Sequence, residues 1–259
     1  MTETTWYSQG AFCWAECATT DLQGAKDFYP KLFGWEVEET PLPGGATYVQ
    51  FLRDGKKVAG AAELGPDQAG IPPHWNTYIA VDDVDQVTKQ AEQLGGTIVA
   101  EPFDVPDSGR MSVVQDPTGA AIGFWQAREH FGAEVYVEPN TMAWFELISP
   151  DPERAVDFYR ELFGYGVDPY EYPNIGKYWV LTHKGENACG IYKTPEGGPP
   201  PAWTPYVGIE DLDGTWKAAM DAGASEMLPP AETADVGKIA WFQDPQGAPL
   251  ALIQPLPRQ

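Results

Sequence analysis

The chain has 259 residues and a formal net charge of −22, and hydrophobic residues make up 43% of it. That length suits two domains of ordinary size with packed cores, and the acidic excess argues against nucleic acid and anionic membrane surfaces as partners. Because no apolar run approaches the roughly 20 residues needed to span a bilayer, and no secretory signal is visible, we expect a cytoplasmic protein.

The first predicted elements are a strand over residues 11–18 and the helix that follows it. Asp21 suits the N-cap, and Gly34 suits the end of the helix. Between them, apolar residues recur at helical spacing: Leu22, Ala25, Phe28, Tyr29, Leu32 and Phe33. Two further strands are predicted over 46–52 and 57–64, on either side of a glycine-containing turn.

A second unit repeats this order of elements. The stretch "TYIAVDDV" begins at residue 77 and is typical of a strand that leads into a helix. The helix carries Val84, Val87, Ala91 and Leu94 and is predicted to stop at two glycines. The strands "GRMSVVQ" and "AAIGFWQ" then flank the hairpin turn at 116–119.

The second half of the chain repeats the first. Residues 14–35 align with 144–165, and ten of the 22 positions are identical. Later segments align as well, 78–85 with 206–213 and 109–122 with 237–250. We therefore predict two homologous domains, 1–126 and 141–259, joined by a linker over 127–140. Each domain holds two βαβββ units, so the fold class is α+β.

One difference between the copies lies in the repeated nonapeptides "DFYPKLFGW" and "DFYRELFGY". Pro30 stands in the first helix where the second has Arg160. A proline inside a helix removes a backbone hydrogen bond and costs up to about 3 kcal/mol. We therefore expect the first helix to bend or break near residues 26–30 and its counterpart to stay regular.

Three cysteines, an odd number, argue against a disulfide framework. Cys13 and Cys17 lie on the first predicted strand, where their spacing would place them on one face. Because no second Cys/His pair lies nearby, we expect buried thiols rather than a zinc site.

The motifs "DFYxxLFG" after the first strand, "VDDVD" after the fifth and "QDPxGxxxxxxQ" at the end occur in an order that resembles the vicinal oxygen chelate superfamily. That superfamily includes glyoxalase I, bleomycin-resistance and fosfomycin-resistance proteins and extradiol dioxygenases. The resemblance covers nearly the whole chain, once per half, and is most similar to two-domain glyoxalase-like proteins of actinobacteria. It implies two tandem glyoxalase-like domains, each a curved sheet that forms a cup, and it leaves function open.

The resemblance also implies where the metalloenzymes of this superfamily hold their metal ligands. The places on the first, fifth and last strands fall on Trp14, Asn76 and Gly123, and in the second half on Trp144, Thr204 and Ala251. The fourth-strand place lies somewhere within 58–64 or 187–192. Since none of these six side chains suits a divalent transition metal, we expect no metal and no cofactor.

Side chains that share the parity of the ligand places are expected to line each cup. In the first half they are Trp14, Glu16, His74, Asn76, Tyr78 and Trp125, and in the second half Trp144, Glu146, Thr204 and Tyr206. Aromatic walls with a few polar groups suit a flat, largely apolar ligand.

Two interpretations of Glu16 and Glu146 stay open. A carboxyl buried among aromatic residues has a raised pKa and is a candidate acid or base. Alternatively each carboxylate pairs with a cation, and Arg110 and Lys238 recur at matching positions, so Arg110 joins the candidate binding residues. His74 is either a functional residue or a histidine at the rim.

Two functions are compatible with this pattern. The first is a metal-independent protein that binds a flat aromatic natural product, as in sequestration or resistance. The alternative is an enzyme of small-molecule or polyketide metabolism (isomerase, cyclase, lyase or hydroxylase-like) with Glu16, His74 or Tyr78 as acid or base. A metal-dependent glyoxalase or dioxygenase is less favoured. We expect a monomer with internal pseudo-symmetry or a homodimer.

Overall fold

The computed structural model describes residues 4–173 and 175–256. The start of the first expected domain range, 1–126, and the end of the second, 141–259, lie outside these residues. The first half contains β1 Phe12–Thr19, α1 Leu22–Phe33, β2 Glu36–Pro41, β3 Thr47–Arg53, β4 Lys56–Glu63, β5 His74–Ala80, α2 Val84–Gln93, β6 Thr97–Val105, β7 Gly109–Gln115 and β8 Ala121–Ala127. Two short 3-10 helices, Pro43–Gly45 and Pro66–Gln68, lie in the connections.

The second half repeats this order. It contains β9 Met142–Ser149, α3 Pro152–Phe163, β10 Gly166–Tyr172, β11 Gly176–His183, β12 Glu186–Lys193, β13 Ala202–Gly208, α4 Leu212–Asp221, β14 Ser225–Thr233, β15 Gly237–Gln243 and β16 Pro249–Pro255. No helix in the described ranges is long and apolar enough to cross a membrane.

Each half forms one curled eight-stranded sheet. The strand order in the first is β2-β3-β4-β1-β5-β8-β7-β6, and the second sheet has the corresponding order. β1 runs parallel to β4 and antiparallel to β5, and β5 runs parallel to β8. The first strands of the two units therefore lie side by side at the centre of each sheet. The expected α+β fold with four βαβββ units is confirmed.

The helices cover one face of each sheet, and a single hydrophobic cluster on that side runs through both halves. Phe12 and Phe145 stack across the junction, with ring centroids 4.7 Å apart. Trp75 and Trp203 belong to this cluster, as their parity predicts. The opposite, concave faces carry two smaller separate clusters. The concave faces are the cups, and we call them the N-terminal cup and the C-terminal cup.

The predicted break in α1 is wrong. The helix runs without interruption through Pro30, and both α1 and α3 have 12 residues. Each ends at a left-handed glycine, Gly34 or Gly164, whose N–H bonds the carbonyl four residues earlier. The buried side chains of Phe28, Tyr29 and Phe33 hold α1 against its sheet on both sides of the proline. Because Pro30 is itself only partly buried, the missing hydrogen bond falls where water is close.

The tyrosine of each repeated nonapeptide joins the two halves. The Tyr29 hydroxyl donates to Asp244 Oδ2 at 2.7 Å, and the Tyr159 hydroxyl donates to Asp116 Oδ2 at 3.1 Å. The other oxygen of each aspartate accepts backbone N–H groups of its own hairpin turn. Each domain thus supplies a helix that anchors a turn of the other domain.

A β-bulge at the start of each central strand sets the faces of its residues. Phe12 pairs with Ile79, but Trp14 pairs with Tyr78, so Cys13 has no direct partner. Cys13 consequently packs in the concave cluster, whereas Cys17 packs with the helix-covered core. The expectation that they share one face is wrong, because a bulge inverts the alternation. All three cysteines are buried and unpaired, as expected.

Candidate functional site

The N-terminal cup is lined by aromatic side chains around one carboxyl group. Trp14, Tyr78 and Trp125 belong to one concave cluster. Glu16 lies beside Trp14 on β1 and pairs in register with Asn76 on β5. Glu16, His74 and Asn76 are all partly exposed, so the polar groups of this cup are accessible. The alternation along the strands brings these predicted residues together.

Glu16 is held by neutral hydrogen-bonding groups. The Tyr78 hydroxyl donates to Glu16 Oε1 at 3.4 Å, and Tyr48 and Asn76 lie near the same carboxyl group and oppose the effect of burial on its pKa. Tyr48 in turn accepts a hydrogen bond from Trp14 Nε1 at 2.9 Å. Tyr48 was not predicted as a site residue, because nothing in the local pattern of β3 shows that its hydroxyl reaches β1.

The C-terminal cup repeats this arrangement with tighter bonds. The hydroxyls of Tyr178 and Tyr206 donate to the two oxygens of Glu146 at 2.8 and 2.5 Å. Trp144 Nε1 donates to Tyr178, and Trp241 Nε1 donates to Tyr206, at 3.0 and 2.9 Å. Glu146 is only 8% exposed. Both of its oxygens are therefore satisfied within the protein, and Thr204 beside it is buried as well.

Burial raises the pKa of both carboxyl groups. Removal from water is the main cause for Glu16 and for Glu146, and the hydrogen bonds from the tyrosines oppose it only in part. The pKa of Tyr78 and of Tyr206 is also raised, first by burial and then by the neighbouring carboxylate. A neutral carboxylic acid among phenols can donate or accept hydrogen bonds without a buried charge.

The structure contradicts the interpretation in which Arg110 and Lys238 pair with the carboxyl groups of the cups. Arg110 forms a bidentate ion pair with Asp85, at 2.8 and 3.0 Å, and contacts Asp104. Lys238 pairs with Asp213 at 2.6 Å. Both side chains project to the helix-covered side of their sheets, because their strand positions have the opposite parity to the cup. Arg110 therefore lies away from the other candidate binding residues.

His74 lies at the rim of the N-terminal cup. Its Nδ1 is 2.9 Å from the carbonyl oxygen of Pro72, and its Nε2 is 3.1 Å from Asn76 Oδ1. Asn76 is also the register partner of Glu16, so the histidine and the carboxyl group lie on either side of one amide. The structure thus brings the three expected polar residues of the cup next to one another.

The segment between the two sheets adds a residue that the sequence did not indicate. The ring of His130 packs edge-on against Trp14, with centroids 4.6 Å apart, and lies 5.8 Å from the ring of Trp125. His130 is in the expected linker, where no strand alternation predicts a direction. Only the path of the chain back over the cup reveals this position.

The concave residues do not fit a divalent transition metal. The expected ligand places on the first, fifth and last strands of the first half hold Trp14, Asn76 and Gly123. On β4 the residue that pairs with Glu16 is Gly60, and Gly190 occupies the corresponding position in the second sheet. The Tyr48 hydroxyl lies where a side chain of Gly60 would begin. Within residues 4–173 and 175–256, no group of three or more His, Cys, Asp or Glu is arranged to hold a metal ion.

The two cups differ in how far side chains fill them. Ala18, Ala62 and Val113 line the N-terminal cup, and in the second sheet the same positions carry Ile148, Tyr192 and Trp241. Tyr192 stacks on Tyr178, and Trp241 packs edge-on against Tyr206. At the other end the N-terminal cup has the larger side chain, because Trp125 lies where the C-terminal cup has Ile253. The carboxyl group of the C-terminal cup is the more enclosed one.

A cleft of about 420 Å³ lies outside both cups, between α2 and α3. Its lining includes Leu94, Pro117, Arg154, Asp157, Phe158 and Glu161. This lining is mainly charged and lacks the stacked aromatic walls of the cups. We therefore treat the N-terminal cup as the candidate site.

The family model of the Glyoxalase/Bleomycin resistance protein/Dioxygenase superfamily matches residues 13–124 and again residues 141–252. The chain belongs to this superfamily. A member named "Putative glyoxylase CFP32", from Mycobacterium tuberculosis, is 40% identical over 255 residues, which cover 98% of each protein. "Anthracycline biosynthesis protein DnrV" from Streptomyces peucetius is 34% identical over 264 residues, which cover 96% of this chain and 94% of that protein.

Solved structures of the superfamily share the fold. The Mn(II)-bound glyoxalase from Novosphingobium aromaticivorans superposes with a TM-score of 0.66 and 16% identity, over 96% of this chain and 83% of that one. The 2,3-dioxygenase LapB from Pseudomonas sp. KL28 superposes with a TM-score of 0.62 and 14% identity, over 94% and 91%. At such identities the likeness concerns the fold alone.

Proposed function

We propose that the protein binds a planar, hydroxylated aromatic molecule of secondary metabolism in the N-terminal cup, without a metal ion. The observation that carries the proposal is the partly exposed Glu16, which accepts from Tyr78 and lies beside Asn76 in a cup with aromatic side chains. Indole and phenol rings stack on flat ligands at little cost in side-chain entropy. The carboxyl and amide groups then fix the orientation of the ligand.

The raised pKa of Glu16 suits a ligand that carries phenol or quinone oxygens. A neutral carboxylic acid donates one hydrogen bond and accepts another, so it can match either oxygen. An anionic ligand would instead meet an acid that has no cation at hydrogen-bonding distance from it within the described residues. The polarity of the site therefore favours an uncharged polycyclic aromatic.

The comparison with relatives supports the same class of ligand. Two relatives carry the name anthracycline biosynthesis protein, one from Streptomyces peucetius and one from Streptomyces sp. strain C5. Anthracyclines are flat, hydroxylated polycyclic quinones, which correspond in shape and polarity to the aromatic N-terminal cup. The proposal extends that class of molecule to this chain as its small-molecule partner.

A second candidate function is acid–base catalysis on such a molecule. The placement of a carboxyl group, Glu16, and an imidazole, His74, on either side of Asn76 favours it, because both groups can act as acid or base toward a bound molecule. Tyr78 lies beside the same carboxyl group. An isomerase, cyclase, lyase or hydroxylase-like activity would use Glu16 as acid or base and Tyr78 as a further donor.

The experiment uses the difference between the two cups. Quenching of tryptophan fluorescence by 1,2-dihydroxyanthraquinone measures affinity for wild type, for Val113→Trp with Ala62→Tyr, and for Trp241→Val with Tyr192→Ala. The first pair introduces the C-terminal residues into the N-terminal cup and should weaken binding at least about tenfold, because it occupies the ligand space. The second pair should leave the dissociation constant within about twofold.

Three further readings complete this experiment. Circular dichroism checks that both double variants are folded, and metal analysis of the same samples should find no stoichiometric transition metal. Product analysis after incubation separates the two candidate functions, since only an enzyme changes the probe. Wild type that fails to bind 1,2-dihydroxyanthraquinone, or an equal loss from both cup variants, would contradict the proposal.

A further inference from the structure

The segment after β8 turns back and closes one end of the N-terminal cup. The N–H of His130 bonds the carbonyl of Ser108 at 3.1 Å, and the carbonyl of His130 accepts from Trp125 Nε1 at 2.7 Å. Two residues later Gly132 lies against Cys13, and the N–H of Ala133 bonds the carbonyl of Cys13 at 2.8 Å. The backbone around His130 is therefore fixed to both β1 and β8.

The imidazole that this backbone positions has a buried nitrogen without a partner. Nε2 of His130 is shielded from solvent and forms no hydrogen bond within the described residues. Such an atom costs about 1–3 kcal/mol in desolvation, so it is rare unless a ligand or water satisfies it. The ring packs edge-on against Trp14 and Trp125, which are indoles of the cup.

His130 is neutral in this position. Burial, followed by the nearby charge of Lys57, lowers the pKa of His130 to about 4. A neutral imidazole has one N–H donor and one acceptor nitrogen. It can therefore bond a phenol hydroxyl or a quinone carbonyl without bringing a charge into the aromatic site.

We infer that His130 is a recognition residue of the N-terminal cup, whose Nε2 hydrogen-bonds a ring oxygen of the aromatic ligand. This inference rests on the proposed function and assigns a role to the segment that joins the two sheets. Glu16 and Asn76 lie on the central strands, whereas His130 closes the end of the cup beside Trp125. A ligand between them would be fixed through its oxygens at two separate points, which restricts both its length and its hydroxylation pattern.

The C-terminal cup offers no counterpart within the described residues. Trp125, which holds the His130 carbonyl, is replaced there by Ile253. The inferred recognition contact therefore belongs to the N-terminal cup.

The test compares His130→Phe, His130→Gln and the control His183→Phe in titrations with 1,2-dihydroxyanthraquinone. His183 contacts Ser8 and Tyr165, away from both cups. We expect His130→Phe to weaken binding about tenfold through loss of one hydrogen bond, and His130→Gln to recover part of that loss. His183→Phe should bind as wild type does.

A second readout does not depend on affinity. The chain has three histidines, so ¹⁵N spectra of labelled imidazoles resolve each of them. Addition of the probe should move the Nε2 signal of His130 and leave that of His183 in place. If wild type binds the probe but His130→Phe binds equally well and the Nε2 signal does not move, the inference is wrong and the proposed function stands. If wild type does not bind, both are overturned.

Discussion

Glu146 shows how a buried carboxyl group is accommodated without a cation. Its two oxygens accept from Tyr178 and Tyr206, and each tyrosine hydroxyl accepts in turn from a tryptophan N–H. Glu16 lies in the same kind of frame but is more exposed and has a longer bond to its tyrosine. The hydrogen-bonding capacity that the C-terminal cup uses internally is thus partly available to a ligand in the N-terminal cup.

The protonation of Glu146 predicts a pH dependence of stability. Burial raises the pKa of Glu146 in the folded chain above its unfolded value of about 4.3. The folded state then binds the proton more tightly, so this contribution is fully present below the unfolded pKa and is lost as pH rises through the folded pKa. Glu146→Gln does not titrate. Its free energy of unfolding should therefore rise relative to wild type between about pH 4.5 and about pH 7.

Urea denaturation at both pH values measures this difference. The control is Glu186→Gln, since Glu186 is exposed on β12. For the control the difference from wild type should stay nearly constant with pH. A constant difference for Glu146→Gln as well would show that its pKa is not raised.

The alternation of side chains along the strands predicted most of the cup residues, but not the groups that they contact. Trp14, Glu16 and Tyr78 were predicted because residues two apart on a strand share a face. Tyr48 and His130 reach the same site from β3 and from the connection between the sheets. Their positions depend on strand order and chain path, which local patterns do not contain. For the same reason the sequence could suggest Arg110 as a partner of Glu16 but not show its pairing with Asp85.

The helix α1 shows that packing can override a local signal. Pro30 removes one backbone hydrogen bond, yet the helix has the same length and the same C-cap as α3. Three buried aromatic side chains hold the helix in place. The missing hydrogen bond therefore lowers the free energy of unfolding but does not interrupt the helix. The β-bulge at Cys13 is a second departure from the local pattern, because it changes the face of the sheet to which that side chain points.

Replacement of the proline should make the protein more stable. Pro30→Ala restores the N–H donor in a helix that already has regular geometry, and we expect the free energy of unfolding to rise by about 1–3 kcal/mol. The matched control is Arg160→Ala in α3, which should change stability by no more than about 0.5 kcal/mol. Urea denaturation at neutral pH gives both values. An unchanged or reduced stability of Pro30→Ala would contradict the prediction.

The whole molecule is held together by reciprocal contacts between its two halves. Tyr29 bonds Asp244, Tyr159 bonds Asp116, and the helix-side core is continuous across the junction. The repeated nonapeptide is therefore more than a trace of duplication. Its tyrosine forms part of the interface that holds the two halves together.

This interface predicts that the two halves unfold together. Tyr29→Phe and Tyr159→Phe each leave a buried carboxylate oxygen without its donor, and each should lower the free energy of unfolding by about 1–3 kcal/mol. Differential scanning calorimetry should show one transition for wild type and for both variants. Tyr170→Phe, at an exposed position on β10, should leave the transition temperature unchanged. Two resolved transitions in wild type would show that the halves unfold independently.

Four features can be read from the sequence alone: the duplication, the four βαβββ units, the superfamily and the aromatic character of the cups. These follow from local periodicity and from identities that recur in order, and both can be read along one dimension. The folded chain was needed to show which oxygens and nitrogens form hydrogen bonds, which cup contains the larger side chains, and that His130 closes one of the cups. Such contacts join residues far apart in the chain, so they depend on strand order and on packing that no local pattern records.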